Sequence, residues 1–193
     1  MPSQNLNETQ QRALLDIARR SIEFGLQSGR ALPVDAADFD KVLRSDAASF
    51  VTIHERGELR GCIGALKAYQ PLVADVAEHA YAAAFTDPRF PPVAEAELAR
   101  LEISISVLGE PEPMHFTSEA DLLHQLRPGQ DGLILEDGRH RGTFLPSVWE
   151  SLPEPRDFWR HLKLKASLPA DHWSDTLKVS RYTTFSFAES SAG

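Results

Sequence analysis

Only one cysteine, Cys62, occurs in the 193 residues, so the chain forms no intramolecular disulfide and offers no CxxC pair for a metal or a redox cycle. It also lacks the three-cysteine motif through which a chain holds an iron–sulfur cluster. No apolar run approaches the ~20 residues that span a bilayer. The opening Met1-Pro2-Ser3-Gln4-Asn5 has neither the basic nor the hydrophobic region of a secretory signal. A cytoplasmic protein without membrane partners is expected. The histidines show no HxH, HxxxH or HExxH spacing, and GxSxG, Walker A and GxGxxG patterns are absent, so neither metal nor cofactor is expected. Positive charge is also short. With 20 basic against 28 acidic residues the formal charge is -8, which argues against a nucleic-acid surface.

What is present is the composition of an ordinary globular protein, 42% hydrophobic and 25% charged. This length suits one domain or two small lobes with a sizeable core. After a few frayed residues, Asn7 to about Gly29 reads as an amphipathic helix carrying Leu14, Leu15, Ile17, Ala18, Ile22, Phe24 and Gly25-Leu26 on its apolar stripe, capped by Asn7 or Thr9 and ended by Gly29. A short helical candidate, Asp38 to Arg44, follows. Pro71 opens a helix to about Ala84, whose alanines permit close approach to a sheet. The three prolines of 87–92 break regular structure, and Leu101 to Leu108 alternates as a strand with Leu101, Ile103, Ile105 and Val107 on one side.

Beyond a connector over 109–113, a helix runs from Ser118 or Thr117 through Leu126. A second hairpin turns at Asp137-Gly138. A helical turn spans Pro146 to Leu152, and a helix spans Asp157 to Leu168 with Phe158, Leu162 and Leu164 or Lys165 at a core edge. One last strand, Lys178 to Ala188, precedes a small-residue tail. Strand pairs interrupted by helices argue for an α+β fold with mixed or antiparallel sheets flanked by helices. Two hairpins, each followed by helix, hint at an internal duplication, and no low-complexity linker divides the chain.

The unusual stretch is Glu58-Leu59-Arg60-Gly61-Cys62-Ile63-Gly64. It reads as the second strand of a hairpin with Ser49 to Glu55, turning at Arg56-Gly57. A two- or four-residue loop sets Val51 opposite Cys62, Ile53 opposite Arg60 and His54 opposite Leu59, whereas a three-residue loop sets Thr52 beside Cys62. In either register simple alternation keeps Arg60 and Cys62 on one face, about 6–7 Å apart. An interior glycine here marks a bulge or a close backbone approach.

Cys62 is a candidate nucleophile or acid–base thiol. A neighbouring cation such as Arg60 favours the thiolate, and His54 or His79 is the candidate base. Gly61 and Gly64 leave room for a substrate or a neighbouring chain to approach the backbone. The alternative is a small buried cysteine with no chemistry. Arg60 and Arg89 suit a carboxylate or phosphate clamp for a small anionic ligand, and Asp87 is equally suited to neutralise one of them. Arg139-His140-Arg141 reads as a solvated sheet edge, and Trp149, Phe158, Trp159 and Trp173 read as packing rather than a base-stacking platform.

Leu59-Arg60-Gly61-Cys62-Ile63-Gly64 resembles the hexapeptide that defines the AMMECR-like family, whose bacterial members are the A component of the Amme-Memo-RadiSam system. The resemblance extends through Asp87-Pro88-Arg89-Phe90, Ile103 to Leu108, Gly142 to Val148 and Phe158 to Leu168, covering about Ala13 to Phe187. Many relatives carry a second cysteine near the end of the later helix; Leu162 to Ser167 has none, which weakens any two-cysteine mechanism. The resemblance implies one domain over residues 1–193, with two closely associated lobes and an internal duplication. Both termini would lie in the larger lobe, with the smaller one inserted. It implies as partners a Memo-type protein and a radical S-adenosylmethionine enzyme, with the hexapeptide serving either recognition or catalysis.

Overall fold

Capping and turn chemistry fix the ends of the first elements. The computed structural model describes residues 5–190, so the outermost residues of the expected frayed start and tail lie outside it. Helix α1 (Glu8–Ser28) begins where Asn7 Oδ1 accepts the Gln10 N–H at 2.9 Å and Gln10 Oε1 accepts the Asn7 N–H in return. It ends at Gly29, held at φ 69°, in the left-handed region that glycine tolerates. The expected helix over 38–44 is instead a 3₁₀ turn, Ala36–Asp38, followed by one hydrogen-bonded turn. Asp40 Oδ1 accepts the N–H groups of Val42 and Leu43 as an N-cap does, so this turn starts at Asp40 and is separate from the 3₁₀ turn before it.

The chain divides into two compact units, one of Gly109–Thr184 and the other of the residues up to Leu108 and from Phe185. In the latter, β1 (Ser49–Glu55), β2 (Glu58–Gly64), β3 (Leu101–Leu108) and β8 (Thr184–Ala188) form a sheet in the order β2-β1-β3-β8, with β1 antiparallel to both β2 and β3. Helices α1 and α2 (Leu72–Phe85) cover the face carrying Val51, Ile53, Ile103 and Ile105, all of them buried. The two helices approach closely because small residues line their contact. Ser21 Oγ donates to Ala77 O at 2.7 Å, and a Cβ on Gly25 would meet the rings of Tyr81 and Phe85.

The unit of Gly109–Thr184 repeats this plan. Strands β5 (Gly132–Asp137) and β6 (His140–Phe144) form a hairpin, α4 (Pro155–Lys165) follows, and β7 (Lys178–Tyr182) returns antiparallel beside β5. The short β4 (Glu112–Pro113), which was expected only as connector, completes the order β4-β7-β5-β6. Helix α3 (Glu119–Gln125) is capped by Ser118. The Arg139–Arg141 triplet straddles the turn and the edge strand β6, and Arg141 meets Glu136 at 3.3 Å in the open. Trp149 stacks on Phe158 at 3.8 Å and Trp159 joins them in the core, whereas Trp173, of the same expected cluster, is exposed and only tilts against Phe116.

Two expectations change here. The last strand is two strands in different sheets, broken at Thr183, whose carbonyl accepts the Gly109 N–H. Tyr182 is buried against Gly132 on one side of the break, whereas Phe185 and Phe187 pack with the other core. On α4 the inward residues are Phe158, Trp159, Leu162 and Lys163, while Leu164 is 53% exposed. Lys163 is buried because its ammonium reaches Glu119 Oε1 at 2.7 Å and His172 O at 3.2 Å, which a sequence stripe does not register.

Candidate functional site around Cys62

The geometry of the hexapeptide follows from one extra residue. Arg56 and Gly57 both have positive φ (52° and 82°), the signature of a two-residue I′ hairpin turn. His54 accordingly pairs with Leu59. Past that point the register slips, with Ile53 opposite Gly61 and Thr52 opposite Cys62, which leaves Arg60 as the unpaired residue of a β-bulge. Both expected registers therefore occur, on either side of the bulge. The slip also breaks the alternation from which Arg60 and Cys62 were expected to share a face. Leu59 and Cys62 now lie on the side of His54 and Thr52, and Gly61 and Ile63 lie with Ile53 and Val51 beneath α2.

Gly61 is a packing requirement. A Cβ there would stand 2.0 Å from the carbonyl oxygen of Ala83 in α2. Gly64 lies under the Phe50 ring, where a Cβ would come within 2.4 Å of the ring and of Ser49 O. In the other unit Gly142, across from Leu135, likewise abuts Ala166 at the end of α4.

Strand β2 is a sheet edge, so the Cys62 N–H and C=O that point away from β1 need partners from outside the ladder. The Asp87–Phe90 loop supplies them. Asp87 Oδ2 accepts the Cys62 N–H at 3.0 Å, and Arg89 Nη2 donates to Cys62 O at 3.4 Å. Arg89 also grips Asp87 through Nε (3.0 Å) and Nη2 (2.7 Å). The paired hydrogen bonds from Arg89, with further bonds from the Cys62 and Arg89 amides, hold the buried Asp87 carboxyl well below the usual carboxylate range despite its burial. The same bond to Asp87 raises Arg89. The Arg89 side chain remains half exposed and lies over the Phe90 ring.

With its backbone bonded outwards, Cys62 faces Thr52 as a non-hydrogen-bonded pair, in which side chains come closest. Thr52 Oγ1 lies 3.2 Å from Sγ, and the thiol is partly exposed. Among the described residues no histidine hydrogen-bonds the sulfur. His54 sits one pair along on the same side, and His79 is beside Asp75, with Nδ1 3.1 Å from Oδ2.

Arg60 is 9% exposed, and its guanidinium turns to Glu97, with Nε–Oε1 at 2.8 Å and Nη2–Oε2 at 3.2 Å. Glu97 also accepts the Ala94 N–H at 2.7 Å, and the Arg60 hydrogen bonds chiefly account for its lowered pKa. Buried Arg60 Nη1 has no partner among the described residues. Of the sequence candidates, then, the fold brings together Cys62, Asp87 and Arg89, keeps His54 adjacent and directs Arg60 to Glu97. Thr52 and Glu97 also take part. The three-residue-loop register sets Thr52 beside Cys62, whereas Glu97 lies in a 3₁₀ turn, Glu95–Arg100, with no sequence motif to flag it.

Among the described residues no three His, Cys, Asp or Glu side chains gather as a metal site requires, and no helix is long and apolar enough to cross a membrane. The sequence model of AMMECR1 matches residues 15–187. A protein of Methanothermobacter thermautotrophicus is 40% identical over 177 residues, 88% of each chain. One from Saccharolobus solfataricus is 38% identical over 196 residues, covering 96% of this chain and 84% of its own. The crystal structure of an uncharacterized protein from Pyrococcus horikoshii superposes with a TM-score of 0.87 at 32% identity, over 95% of this chain and 93% of that one. The chain belongs to the AMMECR1 family.

Proposed function

We propose that the chain is an accessory subunit and that the outer side of the β1–β2 hairpin, with the Asp87–Phe90 loop, is its recognition surface. The observation that carries this reading is where the motif's polar groups go. Arg60 is held by Glu97, Asp87 by Arg89 and the Cys62 backbone, and Gly61 by α2. These contacts shape the hairpin rather than complete a nucleophile–base pair. What they leave outward is Leu59, 40% exposed, beside the partly exposed Cys62 and the half-exposed Arg89. An exposed apolar side chain on the same side of the strand as Cys62, whose carbonyl the Arg89 guanidinium reaches, makes a small protein-contact patch with room for an anionic group. The partners implied by the family resemblance are a Memo-type protein and a radical S-adenosylmethionine enzyme.

The test is capture of those two purified proteins by this chain and by a Leu59→Glu variant. The variant is expected to lose capture with unchanged circular dichroism. Equal capture by the parent and the variant overturns the reading. Arg60→Ala and Arg89→Glu are unsuited to this purpose, because they strand Glu97 and the buried Asp87 and perturb the fold.

The thiol contact with Thr52 favours a second reading, an enzyme with Cys62 as nucleophile or acid–base thiol. Alkylation of the native protein with iodoacetamide between pH 5 and 9 tests it. A thiol that stays unreactive across that range rules the nucleophile out.

A further inference from the structure

Away from Cys62, within the unit of Gly109–Thr184, a cavity of about 540 Å³ opens between α3 and α4. Its lining includes Glu119, Leu123, Arg156, Trp159, Arg160 and Asp171. That volume is in the range of small-molecule sites. Its charges are unusual for this chain. In another cavity, of about 420 Å³, the charged lining is matched: Arg12 and Glu189 pair with Glu8 and Arg19. Here Arg156 and Arg160, one turn apart on α4, are exposed and make no hydrogen bond or ion pair among the described residues, and Asp171 across the opening makes none either.

The floor is built more firmly. Glu119 Oε1 accepts both the Trp159 indole N–H at 2.8 Å and the Lys163 ammonium at 2.7 Å, and Lys163 is 1% exposed. Burial works to raise the Glu119 carboxyl, but Lys163, Trp159 and the nearby Arg156 outweigh it and hold it ionised. Its second oxygen takes no part in those two bonds.

We infer that this cleft binds a small zwitterion of the amino-acid type, its carboxylate gripped by Arg156 and Arg160 and its ammonium set against Asp171 and the remaining Glu119 oxygen. Two guanidiniums at i and i+4 are about 6 Å apart at their bases, close enough to converge on one carboxylate. A phosphate alone satisfies the arginines but meets repulsion from both carboxylates, and a simple cation meets the converse. A ligand carrying both signs a few ångströms apart answers all four groups, and Leu123 and the edge of Trp159 offer apolar contact to a side chain. This inference does not depend on the role of Cys62.

The experiment follows the Trp159 indole ¹H–¹⁵N resonance of the full chain. The probes are the free L-amino acids added one at a time at millimolar concentration, with acetate, methylammonium and inorganic phosphate alongside. At least one amino acid is expected to move the resonance saturably where the three simple ions do not. The R156Q/R160Q double variant should weaken that binding by about tenfold or more, and D171N should weaken it as well. Arg156, Arg160 and Asp171 are exposed, so these variants keep the fold, and the Trp149 indole resonance checks that they do. No saturable shift with any amino acid overturns the inference. So does an equal response to acetate or phosphate that D171N leaves unchanged, since that describes an anion site only.

Discussion

Replacing Gly61 with alanine separates a glycine that admits a ligand from one that admits a helix. A Cβ at this position lies 2.0 Å from Ala83 O and 2.9 Å from Ala83 C. The shorter contact is about 1.4 Å inside the 3.4 Å at which ordinary contact begins. Both neighbours are backbone, so neither rotates away, and either α2 or β2 must move. Shifting α2 loosens Val76, Ala80 and Ala84, which are buried in the same core. Overpacking of this kind costs about 1–3 kcal/mol and occasionally more. The restriction that alanine places on the unfolded chain returns about 0.4–1 kcal/mol. Because both clashes are with backbone, the cost falls at the upper end, about 3 kcal/mol, which leaves a net loss of about 2–2.6 kcal/mol, or a fall of about 4–10 °C in Tm for a chain of this size.

Urea unfolding followed by far-UV circular dichroism measures it. Tryptophan fluorescence serves as a separate reporter, because Trp149, Trp159 and Trp173 all lie in the Gly109–Thr184 unit. The circular-dichroism midpoint should fall while the fluorescence transition responds less. Gly57→Ala is the control. It has open space but φ 82°, so it should cost only about 1 kcal/mol. A Gly61→Ala variant within about 0.5 kcal/mol of the parent refutes the packing argument and restores Gly61 as a place for ligand approach.

Other perturbations test the remaining contacts. Arg60→Ala leaves the largely buried Glu97 carboxylate without its bidentate partner and should destabilise by about 3 kcal/mol in urea unfolding, and Arg60→Lys, without the fork, should recover only part of that. Lys163→Met should stay within about 1 kcal/mol of the parent, because Glu119 is partly open to water, whereas Lys163→Ala should lose about 2–3 kcal/mol more by leaving a cavity. Asp137 accepts hydrogen bonds from Ser174, Thr176 and His172, which lower its pKa from 3.8 to about 2. A depressed carboxyl stabilises the fold fully above its unfolded pKa and loses that contribution as pH falls through the folded one. The stability difference between the parent and Asp137→Asn, read by tryptophan fluorescence, should therefore shrink as pH falls from about 4 to about 2.

Local chemistry made much of the architecture legible. Asn7, Gly29 and Ser118 mark helix ends that the fold uses, because caps satisfy backbone groups within a few residues of themselves, and Pro71 marks another because it has no N–H to leave unpaired. The alternation of Leu101–Leu108 reports directly which side is buried. What escaped depends on partners distant in sequence. Lys163 enters the core because Glu119 meets it from 44 residues away, and Arg60 is buried because Glu97 does the same from 37 residues away. The division of Lys178–Ala188 between two sheets has no local mark either, since both pieces are good strand sequence and only their packing separates them, Val179 in one core and Phe185 against the other.

The bulge at Arg60 shows how a legible signal was read incompletely. An interior glycine in a strand marks either a bulge or a close approach, and the fold uses both at neighbouring positions, Arg60 and Gly61. Without the extra residue, the two-residue turn would carry its register down the hairpin and set Ile53 against Arg60 and Val51 against Cys62. The charged and thiol side chains would then point beneath α2, among Val76, Ala80 and Ile105, while Gly61 and Ile63 would face outwards. A guanidinium in that core has no acceptor of its own and costs several kcal/mol. Inserting one residue exchanges the faces: Ile63 enters the core, Gly61 admits the helix, Arg60 reaches Glu97, and Cys62 comes out beside Thr52 with its backbone offered to Asp87. The glycine, the arginine and the cysteine of the hexapeptide are therefore coupled through a single register shift, so a change at any one is felt by the others. For that reason a variant of Cys62 or Leu59 tests function cleanly only where the Thr52–Cys62 pairing is shown to survive it.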